Sequence, residues 1–293
     1  MSRLARAAAI TAAAGAAAAG YGIGVERNWF TLRRFEVPVL PRGAAPLRVL
    51  HLSDMHLTSG QHRKIAWVRG LASLAPDLVI NTGDTFTSLE SIPDVMHAFE
   101  PLLDFRGGFV PGNNDYYAPV PKSPHHYFTR RDQPRLDRRP LHWPSMARAM
   151  TDAGWLDLTH VRTRVGRFAL AGLDDPHLGF ARYGRIAGPA DPEAAVRIGV
   201  LHSPDPRLLT RFAGDGYDLV LAGHTHGGQV RIPFGPAIVT NCGIDVWRAR
   251  GLHPWDEQMY FHVSAGVGTN PYLPIRFACR PEASLLTLVP RPD

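Results

Sequence analysis

Seven side chains able to ligate a metal stand in five short clusters along the sequence: Asp54 with His56, Asp84, Asn113, His202, and His224 with His226. Each cluster closes an apolar run of strand type. Residues 47–53 lead into Asp54-Met55-His56, and Leu78-Val79-Ile80-Asn81-Thr82 into Gly83-Asp84. Gly108-Phe109-Val110-Pro111 leads into Gly112-Asn113-Asn114-Asp115, residues 196–201 into His202, and Leu219-Val220-Leu221-Ala222 into Gly223-His224-Thr225-His226. In extended backbone residues i and i+2 point the same way, so His224 and His226 can face one point. A mixed nitrogen and oxygen set with no thiolate suits Mn, Fe or Zn, with Mn favoured, and the histidines argue against Mg or Ca. Two such ions about 3.5–4 Å apart can generate a nucleophile from water and neutralise charge on a phosphoryl group together.

The elements that position these residues follow from the same pattern. In open α/β sheets, ligands gather just beyond the carboxyl ends of the strands, where neighbouring loops converge. Ile65, Val68, Leu71 and Leu74 fall at helix spacing, residues 92–103 give a second helical segment, and the alternation is βαβ. Further on, residues 145–154 predict a helix with Met146, Ala149 and Met150 inward, residues 168–172 a strand, and residues 208–212 a short helix. Residues 230–232, 237–239, 259–263 and 285–289 read as strands of a second sheet. The predicted class is α/β: a two-sheet mixed β sandwich flanked by helices. No internal repeat or coiled-coil register is visible.

The ordered series D-x-H, G-D, G-N-x-[D/E], lone His and G-H-x-H resembles the calcineurin-like metallophosphoesterases, whose fold has four layers. The string from Ala222 to Gln229, with Ser264-Ala265-Gly266-Val267-Gly268, Pro274-Ile275-Arg276-Phe277 and Arg280-Pro281-Glu282, is similar to the membrane-associated bacterial branch of that family. The resemblance implies a site for two divalent metal ions. One would take Asp54, His56 and His226, the other Asn113, His202 and His224, and Asp84 would bridge them, holding the attacking hydroxide between the metals. It also marks one departure, because the family usually carries a His where this sequence has Asn114. An amide donates a hydrogen bond but is no general acid near neutral pH. The expectation is therefore a well-activated leaving group or a substitute acid, with His177 the first candidate and His125 and His126 the others.

At 293 residues with 45% apolar content, the chain can bury a large core. Its formal net charge of +6 favours anionic partners, above all a phosphorylated substrate, and no nucleic-acid-binding module is recognisable. Arg3 and Arg6 precede an uncharged stretch rich in Ala and Gly to Val25, so residues 1–27 read as a signal peptide or an N-terminal membrane anchor. If inserted, the two arginines keep the N-terminus cytoplasmic and put the catalytic domain on the extracytoplasmic side. Residues 28–46, with three prolines, read as linker or edge strand, and residues 47–293 as one catalytic domain.

Within that domain, residues 116–143 form a Pro-rich insertion with six Lys or Arg against two Asp. It reads as a cationic lid in which Arg130, Arg131 and Tyr116 meet substrate. Cys242 and Cys279 belong to no metal motif and read as free thiols. The function these features support is metal-dependent hydrolysis of a phosphodiester or pyrophosphate bond on a cell-envelope or lipid-linked substrate. The alternatives are a catalytically impaired, metal-containing scaffold for an anionic polymer or headgroup, and a soluble nucleotide phosphodiesterase. Nothing in the sequence speaks to an oligomeric state.

Overall fold

The computed structural model describes residues 2–121, 138–240 and 242–292. Arg130, Arg131, His125 and His126 lie outside them. In chain order the helices are α1 (Arg3–Gly24), α2 (His62–Gly70), α3 (Ile92–Phe99), α4 (Asn113–Tyr116), α5 (Trp143–Asp152) and α6 (Pro206–Gly214). The strands are β1 (Thr31–Leu40), β2 (Leu47–Leu52), β3 (Leu78–Asn81), β4 (Gly107–Phe109), β5 (Leu156–Asp157), β6 (Arg162–Val165), β7 (Phe168–Gly172), β8 (Val196–Val200), β9 (Leu219–Ala222), β10 (Gly251–Pro254), β11 (Tyr260–Val263) and β12 (Glu282–Pro290).

They form two six-stranded sheets, ordered β1-β12-β2-β3-β4-β5 and β10-β11-β9-β8-β7-β6. The strands β2 through β5 run parallel, as do β7, β8, β9 and β11. Strands buried on both faces read as continuous apolar runs, and each contributes alternate residues to two different cores. Leu78 and Ile80 of β3 face the second sheet, where Val196, Ile198, Leu219 and Leu221 meet them. Val79 points the other way, to Ile65, Val68, Val95 and Phe99 under the first helical layer. On the outer face of the second sheet, Val220 and Phe261 pack on Leu209 and Phe212 of α6. Helix, sheet, sheet and helix therefore form four layers around three cores.

Two expectations about late strands are corrected. Residues 285–289 lie in β12, which belongs to the first sheet, between β1 and β2. Residues 230–232 and 237–239 form isolated bridges, Val230 with Phe277 and Arg231 with Ala237, because the chain between them turns sharply through Phe234, at φ 61° and fully exposed. The expected edge strand appears as β1. Pro38 is tolerated there because, among the described residues, β1 pairs only with β12 and has no neighbour on its other side.

Helix α1 has 22 residues and is largely exposed, with Gly22 its one buried residue. At 1.5 Å per residue it reaches about 33 Å, the thickness of a bilayer core. It is the one helix among the described residues long and apolar enough to cross a membrane. Its end is fastened to the domain: Arg276 N–H donates to Gly22 O (3.2 Å), and the buried Glu26 carboxylate accepts from Ala278 N–H (3.0 Å) and Cys279 N–H (2.6 Å).

Candidate metal centre

The candidate ligands sit in the loops that follow the carboxyl ends of β2, β3, β4, β8 and β9. These loops hold one another through backbone hydrogen bonds. Asp54 N–H donates to Gly83 O (2.9 Å), His56 N–H to Asp84 O (2.9 Å), and Gly223 N–H to His202 O (2.8 Å). From the C-terminal side, Val267 N–H donates to Ser53 O (3.0 Å) and Gly268 N–H to Asp54 O (2.7 Å). Such close approach leaves no room for side chains. A Cβ on Gly223 would collide with Ser53 Oγ and Asp54 Oδ2, and one on Gly112 with Asp84 and His202. Asp54, His56, Asp84, His224 and His226 all have left-handed backbone, with φ between 40° and 70°. That conformation costs a non-glycine residue on the order of 1–3 kcal/mol and persists where surrounding structure imposes it.

Asp54, His56, Asp84 and His226 present one donor atom each, all within 4.8 Å of one another. The Nε2 atoms of His56 and His226 face each other at 3.0 Å, an approach that a shared proton or a shared cation resolves. Asp84 Oδ2 lies 3.4 Å from both His56 Nε2 and His202 Nε2, and Asp54 Oδ1 lies 3.4 Å from His226 Nε2. His202 Nδ1 donates to Thr82 O (2.7 Å), which aims its Nε2 at Asp84, and His224 Nδ1 is 3.3 Å from that same Nε2. Asn113 Oδ1 and His224 Nε2 are buried without a hydrogen-bond partner among the described residues. Six of the seven sequence-derived candidates thus lie together, with Asp84 between the Asp54, His56 and His226 group and the His202 and His224 pair, while Asn113 opens the short α4 with its Oδ1 buried.

The electrostatics fit a cation. Burial pushes the Asp54 carboxyl up to about 6, although its Oδ2 accepts from Ser53 Oγ (2.5 Å) and His224 N–H (3.0 Å). Burial opposes charge on Asp84 too, but His202, with its hydrogen bond, and His56 hold it well below the usual carboxylate range. Burial brings His56 down to about 4 and holds His224 and His226 well below the usual imidazole range. His56, His224 and His226 are thus in the neutral state a divalent ion binds; burial opposes charge on His202 as well, but Asp84, Asp54 and Asp175 raise it well above the usual imidazole range, so an ion there would displace its proton.

Three neighbours hold the ligands. Asn114 donates to Asp84 through both N–H (to Oδ1, 2.7 Å) and Nδ2 (to Oδ2, 2.6 Å). Asp115 accepts from the N–H groups of Asp84 (2.7 Å), Thr85 (2.7 Å) and Gly112 (2.8 Å), tying the β3 and β4 loops together. The fully buried Arg276 guanidinium donates to His226 O (2.9 Å), Ala265 O (2.7 Å), Gly266 O (3.1 Å) and Gly268 O. The sequence reading gave Asp115 and Arg276 no role, although both stood in motifs it quoted.

His177 is half-buried with its ring 4.7 Å from the His224 ring, and its N–H donates to the buried Asp175. Tyr116 leaves the site by its hydroxyl, which donates to Asp174 Oδ1 (2.9 Å), while its ring packs on Phe180 and Trp143. Both cysteines are free thiols.

Residues 47–228 match the calcineurin-like phosphoesterase family, Metallophos. Over 95% of this chain and 96% of its own length, the protein named Phosphodiesterase YaeI of Escherichia coli is 27% identical. The uncharacterized metallophosphoesterase YkuE of Bacillus subtilis is 25% identical over 94% of this chain and 93% of its own. A transmembrane protein with metallophosphoesterase domain from Bos taurus is 29% identical over 88% of this chain and 56% of its own. Among solved structures, TT1561 of Thermus thermophilus aligns over 76% of this chain and 91% of its own, with TM-score 0.42 and 12% identity.

Proposed function

Because the chain belongs to the calcineurin-like phosphoesterase family, a family of metal-binding hydrolases, we propose that it is a membrane-anchored phosphodiesterase with two divalent ions, cleaving a phosphodiester or pyrophosphate bond of a cell-envelope or lipid-linked substrate. The observation that carries this reading is the close grouping of Asp54, His56, His202, His224 and His226 around Asp84. Asp54, His56 and His226 would hold one ion and Asn113, His202 and His224 the other, with Asp84 common to both. Bound there, the ions would supply an activated water and positive charge for phosphoryl oxygens. The relative named as a phosphodiesterase, similar over nearly its whole length, supports the diester. The exposed, apolar α1 and the transmembrane relative support the anchor, and Arg3 with Arg6 supports an extracytoplasmic domain.

The residues of the chain perform the positioning. Asn114 uses both its N–H groups to fix the Asp84 carboxylate, and Thr82 O fixes the His202 ring. The ring of His177, 4.7 Å from that of His224, makes it the residue that would deliver a proton to a leaving oxygen in this reading.

Hydrolysis of bis-(p-nitrophenyl) phosphate and of p-nitrophenyl phosphate, measured after metal removal and re-addition of Mn, Fe, Zn or Mg, tests the reading. Diester turnover that vanishes on metal removal and returns with Mn or Fe is the expected result. A folded protein that binds two ions and turns over neither ester in any metal would replace the enzyme by a binding scaffold.

Asn114→Ala separates positioning from proton donation. Losing an outer hydrogen bond to a ligand costs about 10–100-fold in activity. Since an amide gives no proton, the loss in kcat is expected to be equal for diesters with good and poor leaving groups. A loss that steepens as the leaving-group pKa rises would instead put Asn114 on the proton path.

A further inference from the structure

A cavity of about 370 Å³ lies between the segment that follows α1, the start of α2 and residues 267–269, lined by Arg27, Phe30, His62, Arg63, Lys64 and Gly268 among others. We infer that this cavity binds the phosphate headgroup of an anionic membrane lipid, so that the bilayer itself seats the domain beside its metal centre. The inference rests on the reading of α1 as a membrane anchor and goes beyond the reaction.

The charge of the cavity has no internal match. Lys64 is more than nine-tenths buried, yet its ammonium makes one hydrogen bond, to Met55 O (2.8 Å), and no ion pair among the described residues. Arg27 donates only a long bond to Pro274 O (3.4 Å), and Arg63 is exposed with no partner among the described residues. No carboxylate is among the described residues that line the cavity, and α2 opens without an acidic residue in its first turn. Burial, with Arg276 and Arg27, brings Lys64 down to about 7, and an anion placed among its unused donors and the guanidiniums of Arg27 and Arg63 would favour its charged form. A phosphate diester offers the oxygens that several N–H donors can share.

Position selects the membrane as the source of that anion. Arg27 follows α1 by three residues, and Trp29 is exposed beside Arg280, whose guanidinium stacks 3.4 Å over its ring. A Trp directly after an apolar helix marks the headgroup level of a bilayer. Phe30 stacks on Trp67 (5.3 Å) and so fixes one wall against α2. The opposite wall is shared with the metal centre: Lys64 bonds the carbonyl between Asp54 and His56, and Gly268 N–H bonds Asp54 O.

Calorimetric titration of the full-length protein in a neutral detergent with dioctanoyl phosphatidylglycerol tests the inference. Saturable binding is expected, with no binding of dioctanoyl phosphatidylcholine. Arg27→Gln with Arg63→Gln is expected to weaken it at least about tenfold, since charge-assisted hydrogen bonds are lost. Asp84→Asn is expected to leave it unchanged. Binding that survives the double substitution, or is lost in Asp84→Asn, overturns the assignment, because the lipid is then elsewhere or at the metal centre. Equal affinity for inorganic phosphate overturns the lipid as the source. The measurement needs no turnover, so failure here leaves the diesterase reading standing, and an inactive protein that binds the lipid leaves this one standing.

Discussion

Asp84→Asn is expected to lower diester hydrolysis by about 10³-fold or more, on the order of 4 kcal/mol of transition-state stabilisation. The two side chains have the same shape, so the loss comes from chemistry. Asp84 Oδ2 is 3.4 Å from both His56 Nε2 and His202 Nε2, and Asn114 Nδ2 donates to it at 2.6 Å. An amide there gives up the charge that two cations would share. Its NH₂ group also faces a donor either way, the Asn114 side-chain amide in one orientation and the Asn114 backbone N–H in the other. The effect should separate into two measurable parts. In chelator the variant should melt below the wild type, because the lost charge is one that His202 and His56 favour in the fold, and relief of repulsion with buried Asp54 and Asp115 offsets only part of that loss. With Mn at roughly 100 times the wild-type Kd, mass action stabilises the wild type by about 2.7 kcal/mol. Most of that increment should be missing from the variant. Activity within tenfold of wild type, or an undiminished thermal response to metal, would remove Asp84 from the centre of the site.

The seven candidate ligands were legible because of how their strands are buried. A parallel strand covered on both faces is a continuous apolar run, and its abrupt end in Gly-Asp or Gly-His marks the loop where polar groups collect. Leu78-Val79-Ile80 and Leu219-Val220-Leu221, each feeding two cores, show this pattern. Helix spacing similarly gave α2, α3, α5 and α6. Which sheet a strand joins is another matter. β12 is apolar on both faces like its counterparts in the other sheet, and only its pairing with β1 and β2 places it in the first. Two-residue β5 and the half-exposed β6 and β10 carry too little pattern to be read at all.

The supporting residues stayed hidden for a different reason. Asp115 acts by accepting backbone N–H groups from residues some 30 positions away, and Glu26 by accepting from Ala278 and Cys279. Nothing in a side chain's type announces a backbone partner. A buried Glu26 just past an apolar helix looks in sequence like the polar flank of an anchor, whereas in the fold it joins the end of α1 to the segment that bears Arg276.

Arg276 gives the second large effect, since it links that segment to the metal loops. Its guanidinium is fully buried and has no carboxylate partner among the described residues; its charge is met by carbonyls of His226, Ala265, Gly266 and Gly268. Arg276→Met fills a similar volume but leaves those oxygens without donors, which predicts a loss of about 3–5 kcal/mol in stability. Arg276→Lys keeps the charge yet cannot reproduce a planar fork reaching two loops at once, so an intermediate loss is expected. Because the His226 carbonyl is one of the acceptors, metal affinity should fall as well, by about 10–100-fold. Melting in chelator reads the first effect, and Mn titration below the melting range reads the second. A variant that loses stability but binds Mn as tightly as wild type would make Arg276 a cross-link only. Loss of both would show that the segment bonded to the end of α1 also sets the position of His226, and hence that α1 and the metal centre are built on one continuous set of contacts.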